Sequence, residues 1–133
     1  DLLSWTEGNA LVATGSPFSS VEYNGKQREI SQCNNAYIFP GVGLGVLISG
    51  ATRVTQNMFL ASARALASFE CKSTGLLPDL RHIHDISRVI AFAVAQSAIA
   101  DNVALPQTLP ALTEKLEKTF WRPEYSDYHR ISL

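Results

Sequence analysis

Cysteine, concentrated charge and long apolar runs are all scarce in this chain, and each scarcity removes a class of protein. Eleven Lys and Arg stand against twelve Asp and Glu, for a net charge of -1 over 133 residues. No segment gathers the basic excess of a nucleic-acid face, so no nucleic-acid partner is expected. Cys33 and Cys71 are the only cysteines. They are too few and too far apart for a disulfide framework or for paired metal-ligand spacing, which points to a reducing, cytoplasmic setting. Uninterrupted apolar stretches fall well short of the roughly 18 to 20 residues that span a bilayer, and no basic-then-apolar leader opens the sequence, so no membrane partner is expected. Internal repeats and low-complexity tracts are likewise missing. What is present is a 46% hydrophobic composition, enough for one compact core.

Local patterns divide the chain into a short α/β part and a longer helical part. Asp1 to Glu7 reads as the end of a helix stopped by Gly8. Ala10 to Thr14 is a short apolar run ended by Gly15-Ser16-Pro17, which fits a buried strand of a parallel sheet followed by a loop. Asn24-Gly25, between the polar flanks Val21 to Ile30, predicts a small surface hairpin. From Pro40 to Ile48 the spacing predicts a buried helix, with proline at its start. Its glycines 41 and 45, four apart, leave one side bare for close approach to a strand or a ligand. Thr55 caps a helix to about Phe69 with an expected stripe of Phe59, Leu60, Ala63, Leu66 and Ala67. Another helix covers about His84 to Ala100, its apolar side marked by Ile86, Ile90, Val94 and Ala98. The last is an amphipathic helix on Leu109, Leu112, Leu116 and Phe120, and a tail rich in Trp, Tyr and Arg follows, of a composition that packs on another part of a protein or on another subunit.

The residues most suggestive of chemistry are Asn34 and Asn35, two neutral amides just before Pro40-Gly41. Each donates and accepts hydrogen bonds at any physiological pH, which suits a carboxylate or carboxamide ligand. The alternative is a plain loop-to-helix junction in which Asn caps the next turn. Other motifs carry less. Gly41-Val42-Gly43-Leu44-Gly45-Val46 lacks the third glycine and the preceding strand of a dinucleotide fingerprint, so its glycines read as packing residues. His82 and His84, two apart beside Asp79 and Asp85, point to different sides and read as surface residues. Ser16 has no nucleophile-elbow context, and Cys33 reads as a small buried residue.

Ala13-Thr14-Gly15-Ser16-Pro17-Phe18, followed by Asn34-Asn35 and then Ile38-Phe39-Pro40-Gly41, resembles the malic enzymes. Further matches run through Ser49-Gly50-Ala51-Thr52-Arg53-Val54-Thr55 and the stretch 87–94 to Trp121, Pro123, Tyr125 and Tyr128, so the likeness covers essentially the whole chain. The resemblance implies an α/β chain, mostly helical with a short parallel strand and a small hairpin. Residues 1–133 would be the C-terminal portion of a Rossmann-like NAD-binding domain, with 121–133 as its tail. It further implies oxidative decarboxylation of L-malate to pyruvate and carbon dioxide with reduction of NAD or NADP, Mg or Mn as the metal, and a homo-oligomeric parent enzyme. The Gln32-Cys33 flank is similar to the bacterial NAD-type branch.

By the same resemblance an Asn of the pair contacts the dicarboxylate near the nicotinamide, a role carried to Asn34 first and Asn35 second. Gly15, Ser16 and Pro17, at the carboxyl end of their strand, are expected near the nicotinamide end of the cofactor. The family's Tyr and Lys acid-base pair, its Glu-Asp-Asp metal set and its glycine fingerprint have no counterpart in these residues. The expectation is therefore a truncated chain with no catalytic residue and no metal ligand of its own, inactive in isolation. A self-standing helical interaction module, with amphipathic helices and an aromatic tail, is the competing reading. A reading frame running upstream through the metal set and the fingerprint would decide between them.

Overall fold

The structure, a computed structural model, describes residues 1–69 and 75–125. Cys71 and residues 126–133, Tyr128 among them, lie outside the described residues.

The chain begins with helix α1 (Leu2–Trp5), after which Gly8 takes φ +81 and donates its N–H to the Leu3 carbonyl at 2.7 Å. That is the expected glycine stop. Strand β1 (Val12–Thr14) follows, and then an antiparallel hairpin of β2 (Val21–Tyr23) and β3 (Lys26–Arg28). Asn24 and Gly25 supply its two central residues at φ 51 and 70, the paired positive angles of a primed turn. Strand β4 (Ile30–Gln32) comes next and pairs with β1 in parallel, Val12 opposite Ile30 and Thr14 opposite Gln32. The expected strand is therefore shorter than Ala10 to Thr14 and half-buried instead of buried. Its partner β4 has no apolar run to announce it.

Four helices of very different exposure make up the rest: α2 (Phe39–Ser49), α3 (Gln56–Ala67), α4 (Ile83–Ala100) and α5 (Leu109–Thr119). Helix α4 is the axis of the core. Ile86, Ile90, Val94 and Ala98, one helical turn apart, face α2 and α3 together with Tyr37, Val42, Met58 and Val103. Ala91 and Ala95, on the next stripe, meet Ile48, Leu112 and Leu116. The helical stretch Leu80–Ala100 is long and apolar enough, by length and composition, to cross a membrane; here its buried stripes hold the other helices.

Helix α2 packs against α4 through its bare side. A Cβ built on Gly41 would lie 2.6 Å from Ile90 Cβ, and one on Gly45 would lie 2.7 Å from Val94 Cβ and 2.8 Å from the Ala91 carbonyl oxygen. The close neighbour is thus a helix, where a strand or ligand was expected. The opposite side of α2 is open: Gly43 has nothing within 4 Å, and Phe39 and Leu47 are 59% and 70% exposed. The expectation of a buried helix holds for one face only.

Thr55 caps α3 as expected, accepting from Met58 N–H at 3.2 Å. The predicted stripe is corrected, however: Met58 and Ser62 are the buried residues, whereas Phe59, Leu60, Ala63 and Ala67 are exposed. The hydroxyl of Ser62 is accommodated by donating to the Phe59 carbonyl at 2.7 Å. In α5, Leu112 and Leu116 are buried and Pro110 sits in the first turn, but Leu109 is exposed. Phe120, just beyond, lies 4.3 Å under the Arg88 guanidinium. Of the tail, Trp121 and Tyr125 are described and both are exposed.

Candidate functional site

Parallel pairing places two loops side by side at one edge of the β1–β4 pair. Because Thr14 lies opposite Gln32, both strands end at the same level. Gly15-Ser16-Pro17 leaves β1 there, and Cys33-Asn34-Asn35 leaves β4. Two cross-links join them: Cys33 N–H donates to the Thr14 carbonyl at 2.7 Å, and Gln32 Nε2 donates to the Gly15 carbonyl at 3.4 Å. The first loop is also braced from within, since Thr14 Oγ1 donates to the Ser16 carbonyl at 2.8 Å. The sequence-predicted residues are therefore brought together, at the carboxyl edge where ligands of open parallel sheets bind.

Asn34 does two things at once. Its backbone is extended, and its Oδ1 accepts from Ala36 N–H at 2.9 Å, capping a short 3-10 turn over Asn35–Tyr37. With the carbonyl oxygen engaged, the Nδ2 group is the end left to donate. An amide oriented in this way is a donor, the polarity a carboxylate requires. Asn35 is exposed and makes no side-chain hydrogen bond among the described residues. Ser16 and Pro17 are exposed as well, and a Cβ on Gly15 would meet nothing within 4 Å, so the edge is open to an approaching molecule.

Cys33 is exposed, which corrects the expectation of a small buried residue. It follows the last strand residue, where the chain turns out of the sheet.

A cleft of about 200 Å³ lies beside the two loops, lined by Pro17, Phe18, Gln32, Tyr37, Pro78 and Asp79. Neither Asn34 nor Asn35 lines it. The Arg81 guanidinium and backbone N–H bond the Asp79 carboxylate and hold its pKa below the usual carboxylate value. A larger groove of about 450 Å³, between α2 and the end of α5, is walled by Phe39, Leu44, Leu47, Ile83, Phe120 and Trp121. Those apolar walls suit packing more than the orientation of a small dianion. Among the described residues no three His, Cys, Asp or Glu side chains converge as a metal site, and His82 and His84 are both exposed.

Comparison with known proteins decides the family. The profile of the malic enzyme NAD-binding domain matches residues 1–99. This chain belongs to the malic enzyme family. It is 52% identical to the NAD-dependent malic enzyme of Acinetobacter baylyi over 98% of its length, and 54% identical to that of Shewanella frigidimarina over its whole length. Each alignment covers 24% of the relative, so the chain spans about a quarter of the malic enzymes it matches. The crystal structure of the Entamoeba histolytica malic enzyme superimposes with a TM-score of 0.60 at 28% identity, over 85% of this chain and 24% of that one. The fold is accordingly a piece of the Rossmann-like NAD-binding domain, mostly helical, with a short parallel pair and a hairpin. The bacterial relatives are named NAD-dependent, in line with the reading of the Gln32-Cys33 flank. A self-standing helical module is left without support.

Two features of this edge were not visible in the sequence. Tyr37 is 3% exposed, and its hydroxyl donates to the Pro78 carbonyl. Ser31 is buried and its Oγ accepts from Leu77 N–H at 3.2 Å. The one available signal was a tyrosine inside the apolar run Tyr37-Ile38-Phe39, since a buried phenol needs a partner for its hydroxyl.

Proposed function

We propose that this chain is the C-terminal quarter of an NAD-dependent malic enzyme, which converts L-malate to pyruvate and carbon dioxide, and that it supplies the amides which orient the substrate. The observation that carries this reading is the pairing of the Asn34-Asn35 turn with the Gly15-Ser16-Pro17 loop at the carboxyl edge of the parallel strands, in a chain of this family.

Asn34 donates from Nδ2 to a carboxylate oxygen of malate. Asn35, with its amide unengaged, offers a second neutral contact. Neutral donors fit a group that must depart as carbon dioxide, because a charged partner would stabilise the ground-state carboxylate more strongly than a transition state in which that charge is leaving. Their value lies in orientation: held in one geometry, malate presents C2 for hydride removal without a search over rotamers.

The open space at Gly15 and the braced Thr14–Ser16 turn fit the approach of a nicotinamide to the same edge. NAD, when bound, supplies the hydride acceptor. Gly15, Ser16 and Pro17 hold its nicotinamide end beside the amides, and acid-base chemistry and metal ligation belong to other parts of the polypeptide.

The test is Asn34→Ala in the complete enzyme. Loss of one hydrogen bond to a charged group, worth about 1.5 to 3 kcal/mol, predicts a fall of roughly ten- to a hundredfold in kcat/KM for malate. NAD affinity should change little. Unchanged malate kinetics would remove Asn34 from the site. The isolated chain should oxidise no malate even with NAD and Mn supplied, and detectable turnover there would overturn the assignment of catalysis to other segments.

A further inference from the structure

The turn that carries the two amides is only three residues long, and a 3-10 turn of that length has little rigidity of its own. Something outside it must fix the direction in which Asn34 and Asn35 point. Tyr37, its last residue, has its ring inside the main core with Val42, Met58, Ile86 and Ile90. The ring's far end reaches Pro78, which is buried and 41 residues distant in sequence, and the phenol donates to its carbonyl. Pro78 immediately precedes Asp79, whose carboxylate caps the short turn Leu80–His82 that runs into α4. One residue earlier, Leu77 N–H donates to Ser31 Oγ in the middle of β4. Residues 77 and 78 therefore form a strap. It grips the strand that leads into the amide turn through Ser31 and the end of the turn itself through Tyr37.

We propose that Tyr37 is the positioning residue for the Asn34-Asn35 amide pair. Its hydroxyl, held by the Pro78 carbonyl, locks the turn against the start of α4 and so sets the angle at which the amides meet the substrate. The inference rests on the proposed substrate role of the amides. It adds a residue that touches neither substrate nor cofactor and acts only through them. Removing the hydroxyl leaves the ring in its core site, so the fold persists while the turn gains freedom. Small misplacements of orienting groups are costly: displacement by about 1 Å can lower a rate by about a hundredfold.

The experiment is a double-mutant cycle in the complete enzyme, with malate kinetics and NAD binding as readouts. Tyr37→Phe should raise the malate KM or lower kcat/KM by about tenfold, while NAD affinity and the far-UV spectrum stay as in the wild type. In a background carrying Asn34→Ala and Asn35→Ala together, the same substitution should cost nothing further, because the groups it positions are gone. Wild-type malate kinetics in Tyr37→Phe, or an undiminished cost in the amide-free background, would overturn the proposal. If the two amide substitutions themselves leave malate kinetics unchanged, the substrate site fails instead, and the positioning role with it. Should Tyr37→Phe not accumulate folded, Ser31→Ala cuts the other grip of the strap and leaves the ring untouched. It carries the same expected and overturning results.

Discussion

Gly45→Ala tests the packing that seats α2, and with it the ground on which the amide turn stands. The new methyl carbon would fall 2.7 Å from Val94 Cβ and Cγ1 and 2.8 Å from the Ala91 carbonyl oxygen. Ordinary carbon contacts begin near 3.5 Å, so α2 and α4 would have to part by roughly 0.8 Å along that line. Neither neighbour can swing aside: Val94 is β-branched within a helix, and the oxygen belongs to the α4 backbone. Overpacking of this kind costs about 1 to 3 kcal/mol, against a gain of about 1 kcal/mol from replacing a helical glycine by alanine. Gly43→Ala is the internal control, since it lies in the same helix and its Cβ would meet nothing within 4 Å. That variant should be more stable than the wild type by about 0.5 to 1 kcal/mol. The pair should therefore differ by about 2 kcal/mol, or roughly 8 °C in Tm for a chain of this size. Thermal unfolding followed by far-UV circular dichroism measures it. A Gly45→Ala variant as stable as Gly43→Ala would refute the close helix contact.

Three further outcomes follow from other parts of the fold. Thr55 Oγ1 and, at 2.8 Å, Asn57 Nδ2 donate to Asp101, and these bonds, with help from Arg53, hold its pKa below the ordinary 3.8. Because the native value is the lower one, the stabilisation is present above that pH and fades as pH falls through the native pKa. Denaturant titrations should thus show the advantage of wild type over Asp101→Asn shrinking below about pH 4, and a gap unchanged down to pH 2 would contradict the linkage. Met58 is fully buried, and Met58→Ala should cost about 2 to 4 kcal/mol in the same denaturant assay; a loss under about 1 kcal/mol would argue against its core position. Cys33 is exposed, so a thiol reagent should modify it in the native protein, and Cys33→Ser should remove one fast-reacting equivalent. An equal titre in both proteins would place the thiol out of reach.

Much of this fold is written locally. Thr55, Asn24-Gly25, Gly8 and Pro40 each announce a cap, turn or boundary by chemistry confined to one or two residues, and each stands where the sequence places it. The apolar period of α4 is equally legible because its buried stripes are contacted on several sides. What escaped reading was decided by contacts distant in sequence. Helix α3 is apolar around most of its circumference, and the face that turns inward is chosen by α4, which takes Met58 and the small Ser62 and leaves Phe59 and Leu60 outside. Strand β4 is three residues long with a serine at its centre, and its buried position follows from pairing with β1 and from the bond to Leu77. Asn34 and Asn35 could be singled out as amides, and the Gly15-Ser16-Pro17 loop as a strand end. That they share one edge, and that Tyr37 is tied to Pro78, depended on register and on a partner 41 residues away.

The central claim is that these two amides meet the substrate. A crystal structure of the complete enzyme with NAD and malate bound should show Asn34 Nδ2, with or without the Asn35 amide, about 3 Å from a malate carboxylate oxygen, with the Gly15-Ser16-Pro17 loop against the nicotinamide half of the cofactor. Malate bound with both amides beyond hydrogen-bonding reach would contradict it.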